Sequence, residues 1–206
     1  MNMDFNLFTP TKLLFGRGKL NELGNQKLPG RKALLLISSG QSVKTSGTLD
    51  RVTAQLDKAG AAYVICNNIH ENPSKEVVME AAACAKGNGC DFILALGGGA
   101  VLDSAVAVAA MATNPGDLWD YVCGGTGKAQ PLLHPGLPIV TIATTSGTGS
   151  EINCWGVISN HETNEKIGFG DPSLNPVLAI VDPELMRTVP AEYTAYQGFD
   201  ALFHNT

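Results

Sequence analysis

Phe92-Ile-Leu-Ala-Leu96, followed at once by Gly97-Gly98-Gly99-Ala100 and then by Val101-Leu-Asp-Ser-Ala-Val-Ala-Val-Ala-Ala-Met111, decides the fold class. Five consecutive apolar residues bury both faces of a strand, which is the habit of parallel sheets covered by helices on each side. The alanine- and valine-rich run after the glycines reads as a helix, so strand, tight turn and helix follow within twenty residues. That unit builds α/β folds.

Working outward, the same rhythm recurs. Short apolar strands are expected at Ala33–Ser38, Ala62–Cys66, Pro138–Ala143, Trp155–Ser159 and Val177–Val181. Leu49, Val52, Leu56 and Ala59 repeat at helical spacing before Gly60, and Val77, Val78, Ala81, Ala82 and Ala85 do so before Gly87. Both helices are expected to end on those glycines, with Asn72-Pro73 as N-cap and first turn of the second. From Pro115 to Pro138 glycine and proline are too dense for a long helix, so the segment reads as a surface excursion. Arg187 to Pro190 reads as a hinge, with a new helix from about Thr194. The expected division is an α/β domain over 1–187, a Rossmann-like parallel sheet with flanking helices, and the start of an all-α domain over 188–206.

Composition excludes several classes. The 206 residues are 44% hydrophobic and carry 14 basic against 19 acidic side chains, a net charge of −5. No Lys/Arg block follows a phosphate backbone, so no nucleic-acid partner is expected. No apolar run is long enough to span a bilayer and Met1–Pro10 lacks a secretory pattern. Cys66, Cys84, Cys90, Cys123 and Cys154 form an odd set without a C-x-x-C pair, which fits reduced thiols in a cytoplasm.

Two loops carry the chemistry. Gly97-Gly98-Gly99-Ala100 lets the backbone approach an anion at a helix start, where exposed N–H groups favour a pyrophosphate. A tight turn is the competing explanation, and Asp103, placed in the first helical turn and counted with the glycines as a cofactor-binding candidate, suits a helix dipole with or without ligand. Thr144-Thr145-Ser146-Gly147-Thr148-Gly149-Ser150-Glu151 offers hydroxyls and amides after a second strand, or else a helix cap with Glu151 completing a capping box. Both loops lie at carboxyl ends of parallel strands, where open α/β sheets bind ligands. Asp200 and His204, at i and i+4, present a carboxylate and an imidazole on one helix face within reach of one divalent ion. His70, His134 and His161 sit in turns and read as surface residues. Cys154 and Trp155 read as packing residues.

Taken in order, Phe15-Gly-Arg-Gly18, Glu71-Asn-Pro-Ser74, Gly97 to Asp103, Thr144 to Glu151, Asp182-Pro183 and Gly198 to His204 resemble the iron-containing alcohol dehydrogenase family, in its butanol, lactaldehyde and propanediol oxidoreductase branch. The resemblance covers essentially the whole chain and implies a nucleotide-binding α/β domain, a helical domain, and hydride transfer between a small alcohol or aldehyde and nicotinamide in the cleft between them. By that similarity Gly98, Gly99 and Ala100 contact the pyrophosphate. Thr144, Thr145 and Thr148 line the cofactor groove, while Asn72 and Lys166 help hold the dinucleotide. Asp200 and His204 match the first two metal ligands, for Fe2+ or Zn2+, and the other two, histidines further along, lie beyond Thr206. A fragment that binds cofactor but is inactive or nearly so, without tightly held metal, is therefore expected. A homodimer or higher homo-oligomer is implied too, with Leu7 and Leu13–Phe15 able to pair an edge strand between subunits or to complete the local sheet, and apolar surface is expected where a helical domain would pack.

Cofactor choice is read from the first strand, which ends in Ser38-Ser-Gly-Gln-Ser42 without an aspartate for a ribose 2′-hydroxyl. Ser39, Gly40 and Ser42, with Lys44 nearby, permit a 2′-phosphate, so the reading leans to NADP over NAD. Ala100 stands where the family often has serine and Val106 where it often has lysine. A glycerol-dehydrogenase-like or dehydroquinate-synthase-like enzyme shares this architecture, and a non-catalytic dinucleotide-binding or assembly module is the third alternative.

Overall fold

The computed structural model describes residues 8–205. Six parallel strands, β1 (Lys12–Phe15), β2 (Lys32–Ser38), β3 (Ala62–Ile69), β4 (Phe92–Gly97), β5 (Ile139–Ala143) and β8 (Leu178–Val181), form one sheet in the order β1-β8-β5-β4-β2-β3. A separate antiparallel hairpin pairs β6 (Trp155–Asn160) with β7 (Glu165–Gly170). The helices are α1 (Ser42–Thr45), α2 (Thr48–Lys58), α3 (Lys75–Gly87), α4 (Gly99–Met111) and α5 (Ala191–His204). The α/β reading of the sequence holds. Among the described residues no helix is long and apolar enough to cross a membrane.

Strand periodicity divides the core. Leu34, Leu36, Ile93, Ala95 and Ile139 face α3 and α4, while the intervening Ala33, Leu35, Ile37, Phe92, Leu94, Leu96, Val140 and Ile142 face α2 and the 3-10 turn at Lys19–Asn25. Alternation sends successive side chains to opposite faces, so a strand covered twice must be apolar throughout. α4 is buried almost all round, and Val106 packs inside this core at 1% exposure. The valine in place of a lysine therefore serves packing.

Several sequence boundaries move. α3 begins after Ser74, whose hydroxyl accepts from the Val77 N–H, rather than at Asn72-Pro73. Asn72 instead takes a left-handed turn at φ 51°, which asparagine tolerates. Gly60 does occupy the left-handed position after α2, but after α3 that role falls to Gly89, with Gly87 inside the helix. α5 begins at Ala191 with Pro190 as its N-cap, three residues before the expected start. β6 is joined by β7, which the sequence reading missed, in a hairpin outside the main sheet.

The 115–137 segment is no mere surface excursion, because Leu118, Trp119, Tyr121 and Val122 are buried in the larger apolar cluster. Glu165 on β7 fastens it. Its carboxylate accepts from the Trp119 indole N–H at 2.9 Å, the Thr126 N–H at 2.7 Å and the Thr126 and Thr163 hydroxyls at 2.6 and 2.7 Å. These donors, the Thr126 hydroxyl first, hold the carboxyl at about 2 against an ordinary 4.5. A folded value below the unfolded one stabilises the fold above pH 4.5 and loses that contribution as pH falls towards about 2. Glu165→Gln is expected to flatten the acid limb of a stability-versus-pH curve in that window. An unchanged limb would refute the latch.

Leu7 lies outside the described residues. Leu13–Phe15 belong to β1, which among the described residues pairs only with β8, in parallel, and Leu13 and Phe15 are exposed.

Candidate functional site

β3 and β4 flank β2 on opposite sides, so the chain reverses direction across the sheet there and opens a crevice at the carboxyl ends of β2 and β4. Gly97, Gly98 and Gly99 lie at the end of β4, and α4 starts inside the triplet at Gly99, two residues earlier than Val101. Asp103 consequently sits in the second turn, not the first. Gly98 is the N-cap and makes no side-chain hydrogen bond to the helix, so the first amides of α4 lack a side-chain cap. Such amides attract an anion.

β5 lies beside β4, with Gly97 opposite Ala143 and the Thr144 N–H donating to the Gly97 carbonyl at 3.0 Å. The 144–151 segment forms turns and opens no helix, which removes the capping-box explanation for Glu151. It packs directly on the glycines. A Cβ on Gly98 would lie 2.8 Å from the Thr145 hydroxyl oxygen, and one on Gly99 would lie 2.9 Å from the Thr148 methyl. The glycines are thus required by the threonines, leaving backbone and hydroxyls together at the helix start. Ala100 follows as a partly buried residue against the core.

The same loop touches α5 on its other side. The Ser146 N–H and hydroxyl both donate to the Gln197 side-chain oxygen, at 2.8 and 3.0 Å, and a Cβ on Gly147 would lie 2.9 Å from Asp200 Oδ2. Gly147 itself takes φ 105°. Asp200 Oδ1 and His204 Nε2 are 3.5 Å apart on an exposed helix face. An oxygen and a nitrogen so close suit one divalent iron or zinc ion, yet two donors are half of a four-coordinate set. Among the described residues no group of three His, Cys, Asp or Glu gathers around a point, and His134 and His161 lie in turns elsewhere.

Lys166 and Asn72, ninety-four positions apart, are brought together. The Lys166 ammonium donates to Asn72 Oδ1 at 2.7 Å. Two backbone donors also tie down the hairpin that carries Lys166: the Val157 N–H donates to Asp103 at 3.0 Å and the Ser159 N–H to the Pro73 carbonyl at 2.9 Å. Burial pushes the Asp103 carboxyl above its usual value, against the pull of the Val157 N–H, the Ser150 hydroxyl and Lys166. Gly156 lies so close that a Cβ there would strike the Asp103 backbone. Trp155 on this hairpin is 56% exposed, with its indole over Gly170, so the packing role expected of it is not what the structure gives.

Two cavities continue the crevice. One, of ≈ 360 Å³, lies between the threonine loop and the start of α5, lined by Thr144, Thr145, Leu185, Val189 and Tyr193 among others. The second, of ≈ 540 Å³, lies at the ends of β2 and β3 and includes Ser39, Gly40, Gln41 and His70. Ser42 and Glu71 line both. Ser39 Oγ and His70 Nδ1 share a hydrogen bond of 2.9 Å. Neither His70 nor Glu71 was singled out as a binding residue, because nothing in the sequence places the end of β3 beside the end of β2.

The chain matches the family model for iron-containing alcohol dehydrogenase over residues 10–183. It is 42% identical over 201 residues to the probable NADH-dependent butanol dehydrogenase 1 of Bacillus subtilis, covering 98% of this chain and 51% of that protein. It is 34% identical to an NADPH-dependent aldehyde reductase of Escherichia coli, covering 98% and 51%. The crystal structure of NADH-dependent butanol dehydrogenase A from Thermotoga maritima superposes with a TM-score of 0.90 at 37% identity, covering 98% of this chain and 50% of that one. The chain spans about half the length of the curated relatives it matches. On fold, loop geometry and these likenesses, the chain belongs to the iron-containing alcohol dehydrogenase family, in the branch of butanol dehydrogenases and 1,3-propanediol oxidoreductase.

Proposed function

We propose that this chain is the nucleotide-binding part of a cytoplasmic, metal-dependent alcohol dehydrogenase or aldehyde reductase that moves hydride between nicotinamide and a small alcohol or aldehyde. One observation carries the reading: the 144–151 loop packs against Gly98 and Gly99 on one side and against Asp200 on the other, so an anion cradle and a pair of metal donors share one loop. Gly97 makes the turn, Gly98, Gly99 and Ala100 meet the pyrophosphate, and Thr144, Thr145 and Thr148 supply hydroxyls along the groove. Gly40 and Ser42 flank the adenosine ribose in the second cavity. Lys166 and Asn72 hold the dinucleotide from the hairpin side, and Asp103 keeps that hairpin in place. Asp200 and His204 are two ligands of the metal, which when bound supplies Lewis-acid stabilisation of negative charge on the substrate oxygen.

α5, none of whose residues is buried, is read as the first helix of a second, helical unit after a 1–187 nucleotide domain. Its exposed Tyr193, Tyr196, Phe199, Leu202 and Phe203 are the face on which such a unit would pack. β1, the edge strand of the sheet among the described residues, with Leu13 and Phe15 exposed, is proposed as the contact of a homodimer or larger homo-oligomer.

Titrating the 206-residue chain with NADH and with NADPH, followed by nicotinamide fluorescence, is expected to give saturable one-to-one binding of at least one of them. Metal analysis after dialysis against Fe2+ or Zn2+ is expected to show less than one ion per chain, with negligible alcohol oxidation. Failure to bind either dinucleotide would sink the reading of the groove; a stoichiometric ion with sustained turnover would sink the reading of Asp200 and His204 as half a site.

A further inference from the structure

We infer that Glu71 sets the choice of dinucleotide, holding the adenosine ribose through its 2′-hydroxyl and excluding a 2′-phosphate, so that the chain selects NAD(H) over NADP(H). The inference rests on the dinucleotide reading above and goes beyond it. The sequence lean towards NADP considered only the carboxyl end of β2, where Ser38-Ser39-Gly40 offers no acid. The fold supplies one from the neighbouring strand. Glu71 follows the end of β3 and lines both cavities, at the junction where the groove passes from the threonine loop to the ends of β2 and β3.

Three features support the assignment. First, Glu71 and Ser42 are the two residues common to both cavities, so a ligand that fills the groove passes between them. Second, the Glu71 carboxylate is exposed and, among the described residues, makes no hydrogen bond or ion pair of its own, so its oxygens are available to accept from a ribose hydroxyl. Third, Lys44, the cation that would neutralise a 2′-phosphate, lines neither cavity. The remaining ionisable group at this junction is His70, whose ring is engaged with Ser39. A phosphate dianion there meets a carboxylate with no lysine or arginine in either lining, whereas a hydroxyl meets an acceptor. Acidic residues discriminate against the 2′-phosphate in this way in other dinucleotide folds.

Fluorescence titration with NADH and NADPH tests the assignment, in wild type and in a His70→Gln background that removes any imidazolium from the comparison. The wild type is expected to bind NADH roughly tenfold more tightly than NADPH, the size of one screened like-charge contact. Glu71→Gln is expected to bring the two affinities within about twofold by strengthening NADPH, and Glu71→Arg to invert their order. Because Glu71 is exposed and unpaired, thermal unfolding of both variants should match the wild type. Equal or tighter NADPH binding by the wild type, or a ratio unmoved by Glu71→Gln, would overturn the assignment while leaving the groove a dinucleotide site. Binding of neither cofactor would overturn both.

Discussion

Asp182→Ala is expected to lower the unfolding free energy by about 3 kcal/mol, because it strips a buried acceptor from three backbone donors at once. Asp182 is fully buried, and its carboxylate accepts from the Gly18 N–H at 3.1 Å, the Leu20 N–H at 3.2 Å and the Glu184 N–H at 3.1 Å. Alanine leaves the buried Leu20 N–H without a partner and removes the acceptor of the less buried Gly18 and Glu184 amides. Asp182→Asn keeps one oxygen and is expected to cost about half as much. Urea denaturation checks both, with the midpoint moving and the slope unchanged. A loss under about 1 kcal/mol for the alanine variant would show that water or a shifted side chain replaces the carboxylate.

Gly99→Val is expected to weaken dinucleotide binding by at least roughly a hundredfold, about 2.7 kcal/mol. The valine Cβ must enter space 2.9 Å from the Thr148 methyl, and its two methyl groups then occupy the volume in front of the first α4 amides. Relief requires the Thr148 side chain, or the 144–151 loop that carries it and also meets Asp200 at Gly147, to move aside. Gly99→Ala should show the same effect in smaller measure, near tenfold. Titration against NADH or NADPH reads the loss directly. An affinity kept within threefold would mean that the phosphates bind elsewhere.

How much was legible in the sequence depends on whether the signal was local. β4, the glycine turn and α4 were readable because an unbroken apolar run, three glycines and a second apolar run leave little choice. β7 was missed because Glu165-Lys-Ile-Gly-Phe-Gly170 carries two charges and two glycines; its strand character comes from pairing with β6 and from Glu165 reaching Trp119. The cap at Ser74 was passed over for Asn72-Pro73, whose composition also suits a helix start but whose asparagine turns left-handed and meets Lys166. The burial of Leu118 and Trp119 was hidden by the surrounding glycines and prolines. For the candidate site, the glycine and threonine loops can be proposed from their own residues, and Asp200 with His204 from their spacing. Glu71 was not, since its place beside Ser42 exists only once β3 has paired with β2.

The position of β1 at the edge of the sheet bears on how the chain acquires its shape during synthesis. Among the described residues the strand's one partner in the sheet is β8, and the Gly18 N–H that follows it finds Asp182 across a separation of 164 residues. At ribosomal speeds of roughly 5–20 residues per second, that interval lasts on the order of ten to thirty seconds. During it β2, β3, β4 and β5 emerge in turn, while Leu13, Leu14 and Phe15 wait for β8, their partner strand among the described residues. Of the described strands β1 comes earliest in the chain and its partner β8 comes last, and closing so long a loop is an entropically late event. Until it closes, Leu13, Leu14 and Phe15 lack the parallel pairing that β8 gives them, which is the period in which a chaperone has something to hold.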